Sequence, residues 1–214
     1  MLFRNEIFTL KYVKAGEAGK VLQISNQNIS TDEFSEEGLG KIKCYTESSS
    51  NDAFMVIGES MAQEYIHTED ILLSKKSDHM GLSKGDLIIL EVDPTLFSQF
   101  VGGGYVFGYK LRKFIMIVNL KESKESLYEK LCEEDIDTKF SESSQKNFYD
   151  KYEKAMGCIK YEERAEVLLS VTFTKSGKDY SFHAVRNLYA IVEDVLRKDN
   201  NGRYKLLDKN LYRK

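Results

Sequence analysis

Residues 87–120 hold two long apolar runs of β-forming residues, and this pair constrains the fold more than any other feature. The first run, LIILEV at 87–92, ends at Asp93-Pro94-Thr95, where the only proline of the chain occupies a turn position. The second run returns within 102–120 as GGGYVFGYKLRKFIMIVNL. Isoleucine, valine, phenylalanine and tyrosine favour pleated, half-buried positions. The sequence therefore predicts a long β-hairpin with a glycine-rich tip.

Shorter runs of the same character lie on both sides of this hairpin. They are IFTLKYV at 7–13, VLQIS at 21–25, AFMVIG at 53–58, ILLS at 71–74, and a hairpin at 165–185 that turns at 176–179. Residues 26–52 are polar and indicate a connection around the apolar patch 42–45. Residues 185–196 fit a helix or a strand, and the pattern leaves both open.

A charged segment at 121–160 interrupts the β pattern and predicts two helices. Its apolar side chains recur at helical spacing, and the second helix ends at Gly157: Leu127, Tyr128, Leu131, then Phe148, Tyr149, Tyr152 and Met156. We interpret the second set as a core or interface stripe. The predicted fold is mainly β (α+β), with a two-helix insertion.

The length of 214 residues predicts one domain with an insertion. We divide the chain into an N-terminal arm and connection at 1–52, a β domain at 53–198 with its helical insertion at about 121–160, and a polar tail at 199–214.

Charge and composition exclude several classes of function. Thirty-one basic and 34 acidic residues give a net charge of −3, without the basic footprint of a dedicated nucleic-acid binder. No apolar run reaches the roughly 20 residues of a membrane helix, and Glu6 and Lys11 stand where a signal peptide is apolar. Three widely spaced cysteines form neither a disulfide framework nor a metal pattern. We expect a cytoplasmic protein without metal or cofactor, in which Cys132 and Cys158 are buried.

One ordered set of residues carries candidate chemistry. Gly58-Glu59-Ser60-Met61 follows an apolar strand, Asp70 precedes ILLS, Gly85-Asp86 opens LIILEV, and Lys110 lies on the returning strand. A serine hydroxyl needs an adjacent base to act as a nucleophile. No histidine holds a triad-like position near this motif, but a lysine desolvated among apolar neighbours can serve as that base.

This pattern resembles the LexA and UmuD family of self-cleaving serine peptidases over roughly residues 53–120. That family shows Gly-Asp-Ser-Met after a strand, two Gly-Asp pairs that open strands, and a Lys-Arg pair on the next strand. Here Glu59 replaces the aspartate, Glu69 replaces the first glycine, and Leu111 follows Lys110. The resemblance implies a twisted, partly closed β-sheet of the LexA-peptidase kind.

The resemblance also implies roles for individual residues. Ser60 would be the nucleophile and Lys110 its base, with Lys113 as the alternative base. Lys110 and Lys113 face opposite sides of a strand. The turn Gly58, Glu59 and Met61 would direct backbone N–H groups toward the oxyanion. Asp70 and Asp86 are interpreted as turn and strand-start residues.

Family members cut their own chain at an Ala-Gly or Cys-Gly bond upstream of the serine. Ala15-Gly16 is the candidate cleavage site here, and Ala18-Gly19 offers a second such bond. An extended segment with small residues can enter a tight cleft by β-addition. The substrate would then be the protein's own N-terminal segment, in a stress-response (SOS-type) or phage and mobile-element circuit.

Partners follow from what the resemblance implies. Only about 14 residues precede the candidate bond, too few for the helix-turn-helix of family repressors, so we expect no direct DNA binding and no membrane association. UmuD-like proteins act through protein partners, which suggests a regulatory partner of the polymerase or recombinase type. We also expect a homodimer with an interface in the apolar run 185–196; the alternative is that this run is a core strand with no role in a dimer. The alternative function is a non-catalytic interaction or dimerisation module on the same fold.

Overall fold

The computed structural model describes residues 4–15, 41–46, 52–91, 108–134, 142–174, 177–200, 202 and 204–212. The protein is mainly β, as predicted. The strands within these residues are β1 (Arg4–Ala15), β2 (Lys41–Thr46), β3 (Asp52–Ile57), β4 (Ile71–Lys75), β5 (Leu87–Glu91), β6 (Tyr109–Val118), β7 (Val167–Thr174), β8 (Gly177–Ala184), β9 (Leu188–Lys198) and β10 (Tyr204–Leu206). Its helices are α1 (Lys124–Glu134), α2 (Glu142–Cys158) and α3 (Lys209–Tyr212).

The strands form one sheet in the order β2-β1-β3-β4-β9-β5-β6-β7-β8, with β10 on β9. An additional pairing joins β1 to β6. The strands β1, β3, β4, β9, β5 and β6 therefore form a ring of pairings that returns to β1. The sheet curls as a result, and one of its faces becomes an inner, apolar face.

The predicted hairpin at 87–120 is confirmed by the antiparallel pairing of β5 and β6, which runs from Leu87 opposite Lys113 to Glu91 opposite Tyr109. The hairpin at 165–185 is present as β7 and β8. The predicted glycine-rich tip and the VLQIS strand lie outside the described residues.

The ambiguous segment 185–196 is largely strand β9, after one 3-10 turn at Val185–Asn187. It lies between β4 and β5, and it carries buried side chains of both faces. A central strand buried on both faces lacks the polar alternation of a half-exposed strand. This is why the hydrophobic pattern could not separate strand from helix.

The two predicted helices follow β6 and cover one part of the sheet. Phe148 of α2 is fully buried, with its ring 5.3 Å from those of Tyr128 and Phe182 and 6.0 Å from that of Tyr180. The aromatic stripe of α2 is therefore core, one of the two interpretations made from the sequence. Cys132 is buried as predicted, but Cys158 is exposed, because it lies two residues after Met156 and therefore on a different face of α2 from the stripe.

Two segments contribute more to the sheet than their sequences indicated. Residues 41–46, interpreted as part of a connection, form β2 and pair antiparallel with β1. The polar tail supplies β10, which pairs with β9, and Tyr212, which is buried in the inner core. Both segments gain order from long-range pairing, which local composition does not encode. None of the described helices is both long and apolar enough to cross a membrane.

Candidate functional site

The turn that carries Ser60 begins where β3 ends. Gly58 has a φ of +97°, a conformation that glycine adopts without steric cost. Its N–H donates to the Thr68 hydroxyl at 3.0 Å. Since this bond engages the Gly58 amide, the amides that follow it are the better candidates for an oxyanion hole. A one-turn 3-10 helix, Ala62–Glu64, follows the serine.

The turn is packed onto the sheet from both of its ends. Met61 is fully buried in the inner core, and its carbonyl accepts the N–H of Ile66 at 3.1 Å. The Ser60 carbonyl accepts the N–H of Phe173 in β7 at 2.9 Å. The backbone of Ser60 is therefore fixed relative to β7, while its side chain is half-buried.

Glu59 connects the two sides of the loop between β3 and β4. Its carboxylate accepts the Thr68 N–H at 3.1 Å and lies 3.2 Å from Nδ1 of His67. Burial by itself raises the pKa of Glu59, but hydrogen bonds from the side chain and backbone of Thr68 and the contact with His67 outweigh it, so the pKa is lowered. Glu59 therefore closes the loop at the position where the resemblance expects aspartate.

We expect this contact to make a small, pH-dependent contribution to stability. Because the pKa of Glu59 is lowered in the folded protein, the stabilisation is present above the ordinary value of 4.5 and is lost as the pH falls through the folded-state pKa. Glu59→Gln should lower the free energy of unfolding by less than about 1 kcal/mol at neutral pH, since the pair is largely exposed. Denaturant unfolding at neutral and acidic pH measures the difference. Glu129→Gln on the exposed face of α1 is the control, and a Glu59 effect that grows in acid would contradict the assignment.

Asp70 is held by a paired guanidinium. Nε and Nη2 of Arg197, in β9, donate to the two carboxylate oxygens of Asp70 at 2.8 and 2.7 Å. The backbone N–H of His67 donates to the same carboxylate at 2.8 Å. The Arg197 Nη2 also donates to the carbonyl of Tyr65. Asp70 thus anchors the Ser60 loop, which is the whole connection between β3 and β4, to the central strand β9. This agrees with its interpretation as a turn residue.

Asp86 has a comparable structural role at the start of β5. Its side chain accepts the N–H of Ser83 at 2.8 Å, and its carbonyl accepts the N–H of Phe114 at 2.8 Å.

The backbone at the positions of the glycine pattern has a shared conformation. Gly85 has a φ of +89°. Glu69, which stands where the resemblance expects glycine, has a φ of +72°. The three positions of the glycine pattern, 58, 69 and 85, therefore all have positive φ.

The two candidate bases on β6 have different surroundings. Lys113 lies opposite Leu87, and its Nζ is 2.6 Å from Oε2 of Glu64, with side chains 15% and 13% exposed. Lys110 is half-buried at the beginning of β6, opposite Leu90. Its charge, after burial and the charge of Arg112, contributes to lowering the pKa of His183 well below its usual value. The Ser60 turn thus contacts β6 through Glu64 and Lys113.

The candidate cleavage segment continues from β1. This strand pairs parallel with β3 from Leu10 opposite Ala53 to Lys14 opposite Ile57. Its last two residues also pair parallel with β6, with Lys14 opposite Lys110 and Ala15 opposite Leu111. Gly16 and the second candidate bond at 18–19 lie outside the described residues. Ala15 therefore ends a strand that is flanked by the end of β3 and the beginning of β6.

The proposed dimer run is part of the sheet interior. The ring of Tyr189 packs 5.8 Å from that of Phe54 and 4.8 Å from that of Tyr109, and its hydroxyl donates to Asp52 at 3.1 Å. Val192 is buried. These contacts account for the apolar character of the run within one protomer, so the apolar pattern by itself is not evidence for a dimer interface.

Several residues that build the site were missed in the sequence. Arg197, Thr68 and Glu64 hold the Ser60 loop, yet none belongs to a recognisable local motif.

Within the described part of the chain, no three histidine, cysteine or acidic side chains gather as a metal site. Comparisons with protein-family models, curated proteins and solved structures find no match to this chain.

Proposed function

We propose that this protein is a serine peptidase of the LexA and UmuD type that cuts its own N-terminal arm after Ala15. Ser60 is the nucleophile and Lys110 its base. The observation that carries the proposal is the register of β1. Its end lies between β3, which leads into Ser60 three residues later, and the beginning of β6, which carries Lys110.

The spacing between neighbouring strands sets the backbone distances across the end of β1. Adjacent strands lie about 4.8 Å apart, so the backbones of Ile57 and Lys110, on the two sides of Lys14, are separated by roughly 10 Å. The strand that leads into Ser60 and the backbone of Lys110 therefore flank the end of β1 on its two sides. An extended strand held by main-chain pairing is also the form in which β-addition presents a substrate. Positive φ at the three glycine-pattern positions further supports the resemblance.

The chemistry is acyl transfer to the serine. The Ser60 oxygen attacks the carbonyl carbon of Ala15 while the neutral Lys110 amine takes the hydroxyl proton. The C–N bond to Gly16 then breaks, and the lysine returns that proton to the leaving amine. Water hydrolyses the resulting acyl-serine ester by the same proton transfers in reverse roles. The products are a new carboxylate at residue 15 and a new amine at residue 16.

Self-processing places the protein in a regulatory circuit of the stress-response or mobile-element kind. The protein would act through a protein partner of the polymerase or recombinase type and as a homodimer. Light scattering at micromolar concentration tests the assembly, and a mass near 24.6 kDa throughout would remove the dimer from the proposal.

Incubation of the purified chain at alkaline pH tests the activity, because high pH favours a neutral lysine. We expect a shortened chain whose N-terminus is Gly16, identified by intact-mass measurement and N-terminal sequencing. Ser60→Ala should remain intact under the same conditions. Identical products from wild type and Ser60→Ala would show that the cleavage is not catalysed by this serine.

The second candidate is a non-catalytic interaction module on the same fold. The ion pair of Lys113 with Glu64 favours it, since it fixes the Ser60 turn to β6 as a structural contact. In that case the chain stays intact at all pH values, and Ser60→Ala changes neither its mass nor its assembly.

A further inference from the structure

Strand β1 is the element that connects three other strands. Its first half pairs antiparallel with β2 through six residue pairs, from Arg4 opposite Thr46 to Thr9 opposite Lys41. Its second half pairs parallel with β3 through five, and its last two residues pair with β6. Among the described strands, β2 pairs only with β1. Removal of β1 would therefore open the ring of pairings and leave β2 without its strand partner.

The candidate bond lies directly after the last residue pairs of β1. Ala15 is the last paired residue of β1, and the bond to Gly16 comes directly after it. All of the pairings of β1 lie on the N-terminal side of that bond. Cleavage there would interrupt the chain between β1 and β2 without removing one residue pair from the sheet.

We propose that the N-terminal fragment stays in place after cleavage, as a noncovalently bound strand. The cleaved protein is then a two-chain complex of residues 1–15 and 16–214 rather than a truncated protein. This inference rests on the proposed function for its occurrence in the cell. It deepens that function, because cutting and release become two separate steps.

The physical reason is the cost of an unpaired edge. Departure of the fragment exposes backbone N–H and C=O groups of β2, β3 and β6 that were paired with β1, and such edges favour pairing with another strand. The intact connection raises the effective concentration of β1 at its position, as a covalent link between two binding partners does. Cutting removes that advantage but leaves every contact in place.

Release of the fragment would create a defined binding site. The exposed positions lie between β3 and β6, and their main-chain groups recognise an extended peptide by β-addition. The ligand that fits best is the sequence that occupies the position in the uncut protein, residues 4–15. An excess of that peptide in solution should exchange with the bound fragment.

The experiment uses the full-length Ser60→Ala protein with the recognition sequence of a site-specific protease inserted in the connection between β1 and β2. After the added protease has cut the folded chain, size-exclusion chromatography at micromolar concentration is followed by mass measurement of each fraction. We expect the N-terminal fragment to co-elute stoichiometrically with the large fragment under native conditions and to separate from it in denaturant. Elution of the fragment by itself under native conditions would overturn the proposal.

Peptide exchange supplies the matched controls without changing the folded chain. Labelled peptides of residues 1–15 are added in excess to the cut protein, as wild type, Arg4→Pro and Tyr12→Pro. Arg4 is the first residue of β1, where proline is tolerated, whereas Tyr12 lies in the middle of the pairing with β3 opposite Met55. The wild-type and Arg4→Pro peptides should bind, and Tyr12→Pro should not. Equal binding of all three, or binding of none, would contradict a specific strand site.

The outcomes also separate this inference from the proposed activity. The added protease makes the cut, so retention is measured whether or not the protein cleaves itself. Free elution would refute retention and leave self-cleavage standing. A wild-type chain that stays intact at alkaline pH would refute the peptidase, even where the fragment of the protease-cut protein is retained.

Discussion

We expect Lys110→Ala to reduce the rate of self-cleavage by about 100- to 10,000-fold, the range typical for loss of a general base. Lys110 lies opposite Lys14, one residue before the candidate bond, and it is half-buried. The rate is measured from the intact and shortened masses during alkaline incubation. Circular dichroism of the variant should match that of the wild type, which would separate lost chemistry from lost folding.

Lys113→Ala is the matched control on the same strand. The amine of Lys113 forms an ion pair with the Glu64 carboxylate at 2.6 Å, so its Nζ is already engaged by a structural partner. We therefore expect Lys113→Ala to retain cleavage. Loss of cleavage in Lys113→Ala together with retained cleavage in Lys110→Ala would reverse the assignment and make Lys113 the base.

Arg197→Ala should be the most destabilising single substitution of a charged residue in the Ser60 loop and its supports. Asp70 is almost fully buried, and loss of the guanidinium leaves its carboxylate without the paired charge. We expect the free energy of unfolding to fall by about 3 kcal/mol, the lower end for buried pairs, because a third of the Arg197 side chain is exposed. Urea denaturation measures the change.

The control for this prediction is an exposed ion pair near the same strand. Lys205 of β10 lies 2.9 Å from Asp199, with its side chain 71% exposed. Lys205→Ala should cost less than about 1 kcal/mol. If Arg197→Ala and Lys205→Ala cost the same, Asp70 does not depend on the guanidinium, and the anchoring of the Ser60 loop to β9 has to be reassigned.

The local patterns of the sequence were sufficient for most of the secondary structure. The runs at 71–74 and 87–92 formed strands because β-branched and aliphatic residues bounded by turn residues leave few other conformations. The two helices between β6 and β7 were predictable for the same kind of reason, since their apolar residues recur at a period of 3.6. The turns at Gly58 and Gly85 could be predicted from the glycines themselves.

The prediction was less complete where order depends on distant residues. Residues 41–46 form a strand because β1 pairs with them. The buried run in β9 could be assigned as a strand only once β4 and β5 were known to flank it. Glu69 adopts a positive φ although nothing in its side chain favours it. In each case the surrounding structure imposed the conformation.

The sequence by itself determined the order of the candidate chemistry, with Ser60 in a turn after one strand and two lysines on another. Only the tertiary structure decided which neighbours these residues have. Glu64 engages Lys113, Arg197 anchors Asp70, and β1 ends between β3 and β6. The physical reason is that spacing along a chain fixes which face of an element a side chain occupies, whereas strand order and register, which follow from burial of the whole sheet, fix what that face meets.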